Sequence, residues 1–192
     1  MKNNTDMISQ VFAEAADTLR QFIKDPVNFE RIAEATAIMA ESIRQGGKII
    51  SCGNGGSMCD AMHFAEELSG RFRDDRAPIA ALSVSDASHL SCVANDYGYE
   101  HVFSRAVQAL GRRGDTLLAI STSGNSANVV AAARMAKTLH MQVIGLTGKD
   151  GGLLAGLCDV EIRAPHTAYA DRVQEIHIKV IHCLIQGIEQ TL

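Results

Sequence analysis

The chain has 192 residues, 46% of them hydrophobic and 21% charged, with a formal net charge of −4. That size and balance suit one globular domain with a real core and exclude a disordered chain. The small negative charge supplies no general field for nucleic acid, and no apolar run approaches the roughly 20 residues needed to span a bilayer. The five cysteines (Cys52, Cys59, Cys92, Cys158 and Cys183) form no C-x-x-C pair. Most lie among apolar residues and read as reduced core thiols. Behind the first residues there is no apolar segment of the kind a signal peptide carries, so a cytoplasmic protein with neither nucleic acid nor membrane as partner is expected.

Taken in order, the chain opens with an apolar stripe at helical spacing: Ile8, Val11, Phe12, Ala15, Leu19, Phe22 and Ile23. It predicts a helix from Thr5 to about Lys24, stopped by Asp25-Pro26. A second helix runs from about Asn28 to Arg44, with Ile32, Ala35, Ile38, Met39 and Ile43 inward and Gly46-Gly47 closing it. These two helices either cover a sheet face or pack against another subunit. From Lys48 onward the pattern alternates. Strands are expected at Lys48–Ser51, Ile79–Val84, Thr116–Ile120, Gln142–Leu146 and Asp159–Ile162. Helices are expected at Met58–Leu68, Ala87–Asn95, His101–Leu110, Ala127–Leu139 and Ala170–Thr191. Near-continuous apolar strands separated by helices predict an α/β three-layer α-β-α sandwich with a five-stranded parallel sheet. One domain spans 1–192, with 1–45 as N-terminal packing helices and 46–192 as core. In such sheets ligands bind beyond the carboxyl ends of the strands. Arg71, Arg73 and Arg76, interleaved with Asp74 and Asp75, read as a solvated loop.

Two turns sit where that rule points. Gly53-Asn54-Gly55-Gly56-Ser57 follows the first strand and opens a helix, but it matches neither the dinucleotide fingerprint nor a P-loop. Ser121-Thr122-Ser123-Gly124-Asn125-Ser126 follows the third strand. An N-cap accounts for one hydroxyl of that run but not for the rest, so a phosphate at the helix N-terminus is the better reading. Thr147–Gly152 reads as a structural turn. On the helix behind the glycine-rich turn, His63 and Glu67 are four apart and share a face, with Glu66 a rival carboxylate that spacing does not separate. On the last helix Gln174 and His182 share a face, whereas His177 lies well round from His182 and reads as exposed or capping. Met58, Met62 and Met141 read as core filler.

Taken together, C-G-N-G-G-S, the run Asp60–Leu68, S-T-S-G-N-S, L-T-G-K-D-G-G and R-V-Q-E-I-H-I-K-V-I-H resemble the phosphoheptose isomerases of the sugar isomerase (SIS) domain family. The resemblance runs from the N-terminal helices to the last helix. It implies conversion of sedoheptulose 7-phosphate into D-glycero-D-manno-heptose 7-phosphate, the first step toward ADP-heptose for the lipopolysaccharide core. It also implies that Ser57, Ser121, Thr122, Ser123 and Ser126 hold the phosphate. Asn54, Gly55, Gly56, Asn95, Asp96, Asp171 and Gln174 would line the sugar, and Glu67 and His182 would be the acid–base pair. His63, Glu67, Gln174 and His182 would surround one zinc ion per subunit, in a homotetramer with active sites near subunit interfaces. Met58 departs from the polar residue that many relatives carry there. Other family members are non-catalytic, binding a replication initiator or sensing a sugar phosphate; the initiator binders lack the His/Glu and Gln/His set. A different sugar-phosphate isomerase of the same fold is a third reading.

Overall fold

The computed structural model describes residues 3–192. Five parallel strands form one sheet: β1 Ile49–Gly53, β2 Ala81–Ser83, β3 Thr116–Ser121, β4 Gln142–Thr147 and β5 Val160–Arg163, in the order β2-β1-β3-β4-β5. The helices are α1 Asn4–Lys24, α2 Val27–Arg44, α3 Gly56–Ser69, α4 Ala87–Tyr97, α5 Val102–Leu110, α6 Ala127–Thr138, the short α7 Gly152–Ala155 and α8 Ala170–Thr191. A single 3-10 turn, Tyr99–His101, joins α4 to α5. Every expected element is present, with ends shifted by a few residues; α7 was not foreseen, because four residues are too few to show a period.

Side-chain alternation along the strands builds the two core layers. Ile49, Leu118, Ile120, Ile144, Leu146, Val160 and Ile162 face one side, where α2, α3 and α8 cover them. Ile50, Cys52, Leu117, Ala119 and Val143 face the other, against α5, α6 and their neighbours. Among the described residues no helix is long and apolar enough to cross a membrane.

The N-terminal helices divide between the two roles open to them. Ala35 and Met39 of α2 join the core, whereas α1 rests chiefly on α8. Only part of the α1 stripe is used: Phe22 is buried, but Ile8, Val11, Ile23 and Phe12, 72% exposed, face outward. Beside them lies an apolar cleft lined by Leu19, Phe22, Ile23, Phe29, Ile32 and Cys183.

Three expectations about single side chains are corrected. Cys52 is a core thiol and Cys158 is half-buried, both pushed up to about 12 by burial, but Cys59, Cys92 and Cys183 are exposed. Met141 is buried and Met58 packs on the core, yet Met62 is exposed. Arg76 is not solvated. It gives hydrogen bonds to the Glu67 and Leu68 carbonyls at 2.7 and 2.8 Å and pairs with Glu189 of α8 at 2.8 Å. Carbonyls at a helix C-terminus lack intrahelical donors, and a guanidinium there also complements the helix dipole.

Candidate active site

The order β2-β1-β3-β4-β5 puts a switch point between β1 and β3. The chain leaves β1 into α3 on one face of the sheet and leaves β3 into α6 on the other. A crevice therefore opens between the glycine-rich and serine-rich turns, at the carboxyl ends of adjacent strands.

On one wall, α3 and α8 lie side by side with their site residues in register. Gln174 rests on Gly56, where a Cβ would stand 2.6 Å from its Nε2; any side chain at 56 would displace the amide. Two turns further along each helix, His63 Nε2 and His182 Nε2 face one another at 3.1 Å. Glu67 Oε1 lies 3.5 Å from that same His63 nitrogen, whereas Glu66 Oε1 lies 3.5 Å from His63 Nδ1. Geometry thus separates the rival carboxylates. The Glu67 side chain, 16% exposed, faces the crevice; that of Glu66, 64% exposed, steadies the imidazole from outside. The Arg76 clasp on the Glu67 carbonyl fixes the end of α3 that carries this carboxylate. Phe72 lies against His182, ring centroids 5.7 Å apart.

Burial, and then the neighbouring His63 ring, hold the His182 imidazole below its ordinary value, while Glu67 pulls the other way. His182 is therefore a neutral imidazole near neutral pH, available as base or ligand. Asp60 shares this wall and was not singled out from the sequence. Its carboxyl is pushed up to about 6 by burial, opposed by His63, and its Oδ2 has no hydrogen-bond partner.

The two imidazoles have the spacing of a pair of zinc ligands. Two nitrogens bound to zinc at ordinary distances in a tetrahedral arrangement stand about 3.3 Å apart. The observed 3.1 Å between the two Nε2 atoms is close to that. As a simple hydrogen bond the pair would need one Nε2 protonated, whereas toward a metal both offer lone pairs. Among the described residues the group whose donor atoms all lie within 4.8 Å of one another is His63, Glu66 and Glu67, while the Gln174 amide rests on Gly56.

The opposite wall is the serine-rich turn. Ser121 Oγ and Ser126 Oγ are 2.9 Å apart, and Ser123 Oγ accepts the Asn125 N–H at 3.1 Å. Ser126 occupies the N-cap position of α6 but makes no cap bond, so capping does not explain its hydroxyl. Gly124 has φ +66°, and a Cβ there would collide with the Gly151 carbonyl, so the turn after β4 buttresses the one after β3. Ser57 is buried in the first turn of α3.

Between the walls, Asn54 is tied to residues the sequence reading missed. Its Nδ2 donates to Asn128 Oδ1 and its Oδ1 accepts from Asn128 Nδ2, both at 2.8 Å, and Tyr99 Oη donates to Asn54 Oδ1 at 3.1 Å. The available signal was an asparagine two residues past Ser126, in the first turn of α6. Asn95 and Asp96 are exposed at the end of α4 and bonded to each other at 2.7 Å. Asp171 stands apart from the crevice groups. It is exposed, pairs with Arg172 at 3.0 Å, and lines a surface cleft with Glu14 and Asp17 of α1.

His177 is not exposed. It is fully buried, its Nε2 donating to the Thr147 carbonyl at 2.8 Å, because its face of α8 meets the sheet. Burial pushes its imidazole down to about 4.

An α/β domain with paired imidazoles and a carboxylate on one wall and a hydroxyl-rich helix start on the other belongs to the SIS class, and residues 10–148 match the SIS domain model. A phosphoheptose isomerase of Enterobacter sp. (strain 638) is 60% identical over 97% of both chains. Solved phosphoheptose isomerases from Neisseria gonorrhoeae and Francisella tularensis superpose with TM-scores of 0.91 and 0.92, at 41% and 35% identity. They cover 98% of this chain and 100% and 99% of their own. The chain belongs to the phosphoheptose isomerase family of SIS-domain proteins.

Proposed function

We propose that this protein isomerises sedoheptulose 7-phosphate to D-glycero-D-manno-heptose 7-phosphate, the first step of ADP-heptose synthesis for the lipopolysaccharide core. The observation that carries this reading is the convergence of Glu67, His63 and His182 from two helices in one crevice, opposite Ser121 and Ser126. A non-catalytic binding role gives no reason for that convergence.

Aldose–ketose isomerisation moves a proton between C1 and C2 through an enediol. It needs a base at the carbons and a proton donor at the oxygens, each worth about 10²–10⁴-fold. Glu67 and His182 supply that pair, both beside His63 Nε2. Ser57, Ser121, Thr122, Ser123 and Ser126, with the start of α6, hold the phosphate and so fix C1 and C2 against the pair. Asn54, Gly55, Gly56 and Gln174 line the sugar from the α3 side, and Asn95 and Asp96 from α4. His63, Glu67, Gln174 and His182 would hold zinc, which when bound would polarise the substrate's oxygens. Elemental analysis of protein purified without chelator should find zinc, and a His63→Ala variant should lose it. Zinc fully retained in that variant would contradict this ligand set.

The outward apolar residues of α1 and the adjacent cleft support packing against another subunit, and the assembly proposed is a homotetramer. Such an assembly would also let Asp171 line the sugar site at a subunit boundary. Light scattering should return a tetrameric mass; a monomer would contradict the assembly. The activity itself is tested by incubating the protein with sedoheptulose 7-phosphate and, separately, with fructose 6-phosphate. Heptose 7-phosphate formation with little turnover of the hexose is expected. No turnover of either would overturn the reading, and preference for the hexose would shift it to a different isomerase.

A further inference from the structure

The amide pair between Asn54 and Asn128 has a direction that the backbone sets. The Val129 N–H can only donate, and it meets Asn128 Oδ1 at 2.9 Å. That fixes which end of the Asn128 amide is oxygen. Asn128 Oδ1 then also receives Asn54 Nδ2, and Asn128 Nδ2 is turned onto Asn54 Oδ1. The Tyr99 hydroxyl adds a second donor to Asn54 Oδ1. A carboxamide oxygen has two lone pairs and its nitrogen two protons. Asn54 therefore has its oxygen saturated and one proton used, and a single N–H remains to offer. Asn128 is 3% exposed, so its own amide is not presented to a ligand.

Resting on the isomerase reading above, we propose that Asn128 and Tyr99 are positioning residues that make Asn54 a pure hydrogen-bond donor. The substrate atom it meets is then an acceptor oxygen of the sugar phosphate. The same arrangement joins three segments of the site. Asn54 lies in the turn after β1, Asn128 in the first turn of α6 behind the serine cluster, and Tyr99 just beyond Asn95 and Asp96 of α4. The sugar-side and phosphate-side turns are thereby held at a fixed separation before substrate arrives, which is the physical content of preorganisation.

The test is a set of near-isosteric variants assayed with sedoheptulose 7-phosphate. Asn128→Asp keeps the oxygen that Val129 needs but removes the donor to Asn54 Oδ1, so KM should rise about tenfold with kcat changed less than about twofold. Tyr99→Phe removes one exposed hydroxyl without threatening the fold, and KM should rise about two- to threefold. Each change should add nothing to KM in an Asn54→Ala background, because residues acting through one group are not additive. Full multiplication of the effects in the double variants, or an unchanged KM in both single variants, would overturn the proposal. An Asn128→Asp protein that fails to fold leaves Tyr99→Phe and its double variant to decide. Wild-type protein that neither binds nor turns over the substrate would contradict the isomerase reading itself, whereas an active wild type with unmoved variants would contradict only the positioning role.

Discussion

α8 carries two histidines five residues apart into opposite circumstances. His177 points into the sheet, is fully buried, and gives its one useful proton to the Thr147 carbonyl. His182 points into the crevice, half-buried, with its Nε2 toward another imidazole rather than toward a satisfied acceptor. Both rings are held below the ordinary histidine range chiefly by burial. A depressed imidazole is thus no mark of function by itself. What separates the two is the partner of Nε2: a backbone carbonyl for His177, whose Nδ1 is left without a partner, and a second imidazole for His182. His177 has a backbone partner, so it ties α8 to the end of β4; His182 faces His63 of α3.

The sharpest way to break this comparison is to truncate each ring. His182→Ala should lower kcat/KM by about 10²–10⁴-fold or more while the melting temperature stays near wild type. His177→Ala should do the reverse. Loss of a buried ring and its hydrogen bond costs about 2–4 kcal/mol, which lowers Tm by roughly 5–10 °C. Residual activity per folded molecule in His177→Ala should stay near normal. If His177→Ala were inactive but fully stable, the division of labour drawn here would be wrong.

A smaller effect separates the two walls of the crevice. Ser123→Ala combined with Ser126→Ala removes hydroxyls proposed to bear on the phosphate and not on the reacting carbons. KM should rise about ten- to a hundredfold with kcat much less affected, as for lost uniform binding. An unchanged KM would place the phosphate elsewhere.

The smallest expected effect is on acid stability. The folded state holds His177 neutral down to about pH 4, whereas the unfolded chain protonates it near its ordinary value of 6.5. Its contribution to stability is complete above 6.5 and is lost as the pH falls from there through about 4. Asp60 works the other way: its carboxyl is raised from 3.8 to about 6, so its contribution is complete below 3.8 and lost as the pH rises through about 6. His177→Leu should therefore show a shallower fall of Tm than wild type between pH 6.5 and 4. Identical slopes would show that His177 does not feel its burial.

Much of this was legible in the chain. The parallel sheet followed from apolar runs alternating with helical stripes, and the site's place followed from the turns after β1 and β3. The resemblance added the ligand and substrate roles that spacing alone leaves open. Periodicity did not tell which face of a helix meets which neighbour. His177 was misread because its direction depends on where the sheet lies across α8, and Arg76 because its partners, Glu189 and the end of α3, come together only in the fold. Glu66 and Glu67 could not be told apart until His63 had two different nitrogens facing them. Asn128 and Tyr99 were invisible for a related reason: each matters through Asn54, 74 and 45 residues away in the chain.

The central claim is that the carboxylate and imidazoles gathered between α3 and α8 perform the proton transfer. It is tested most directly by measuring heptose 7-phosphate formation from sedoheptulose 7-phosphate by wild-type protein and by Glu67→Gln, side by side at matched folded concentration. The account predicts rapid turnover by the wild type and a loss of about 10²-fold or more in kcat for the amide, with Tm preserved. Near-normal turnover by Glu67→Gln would contradict it.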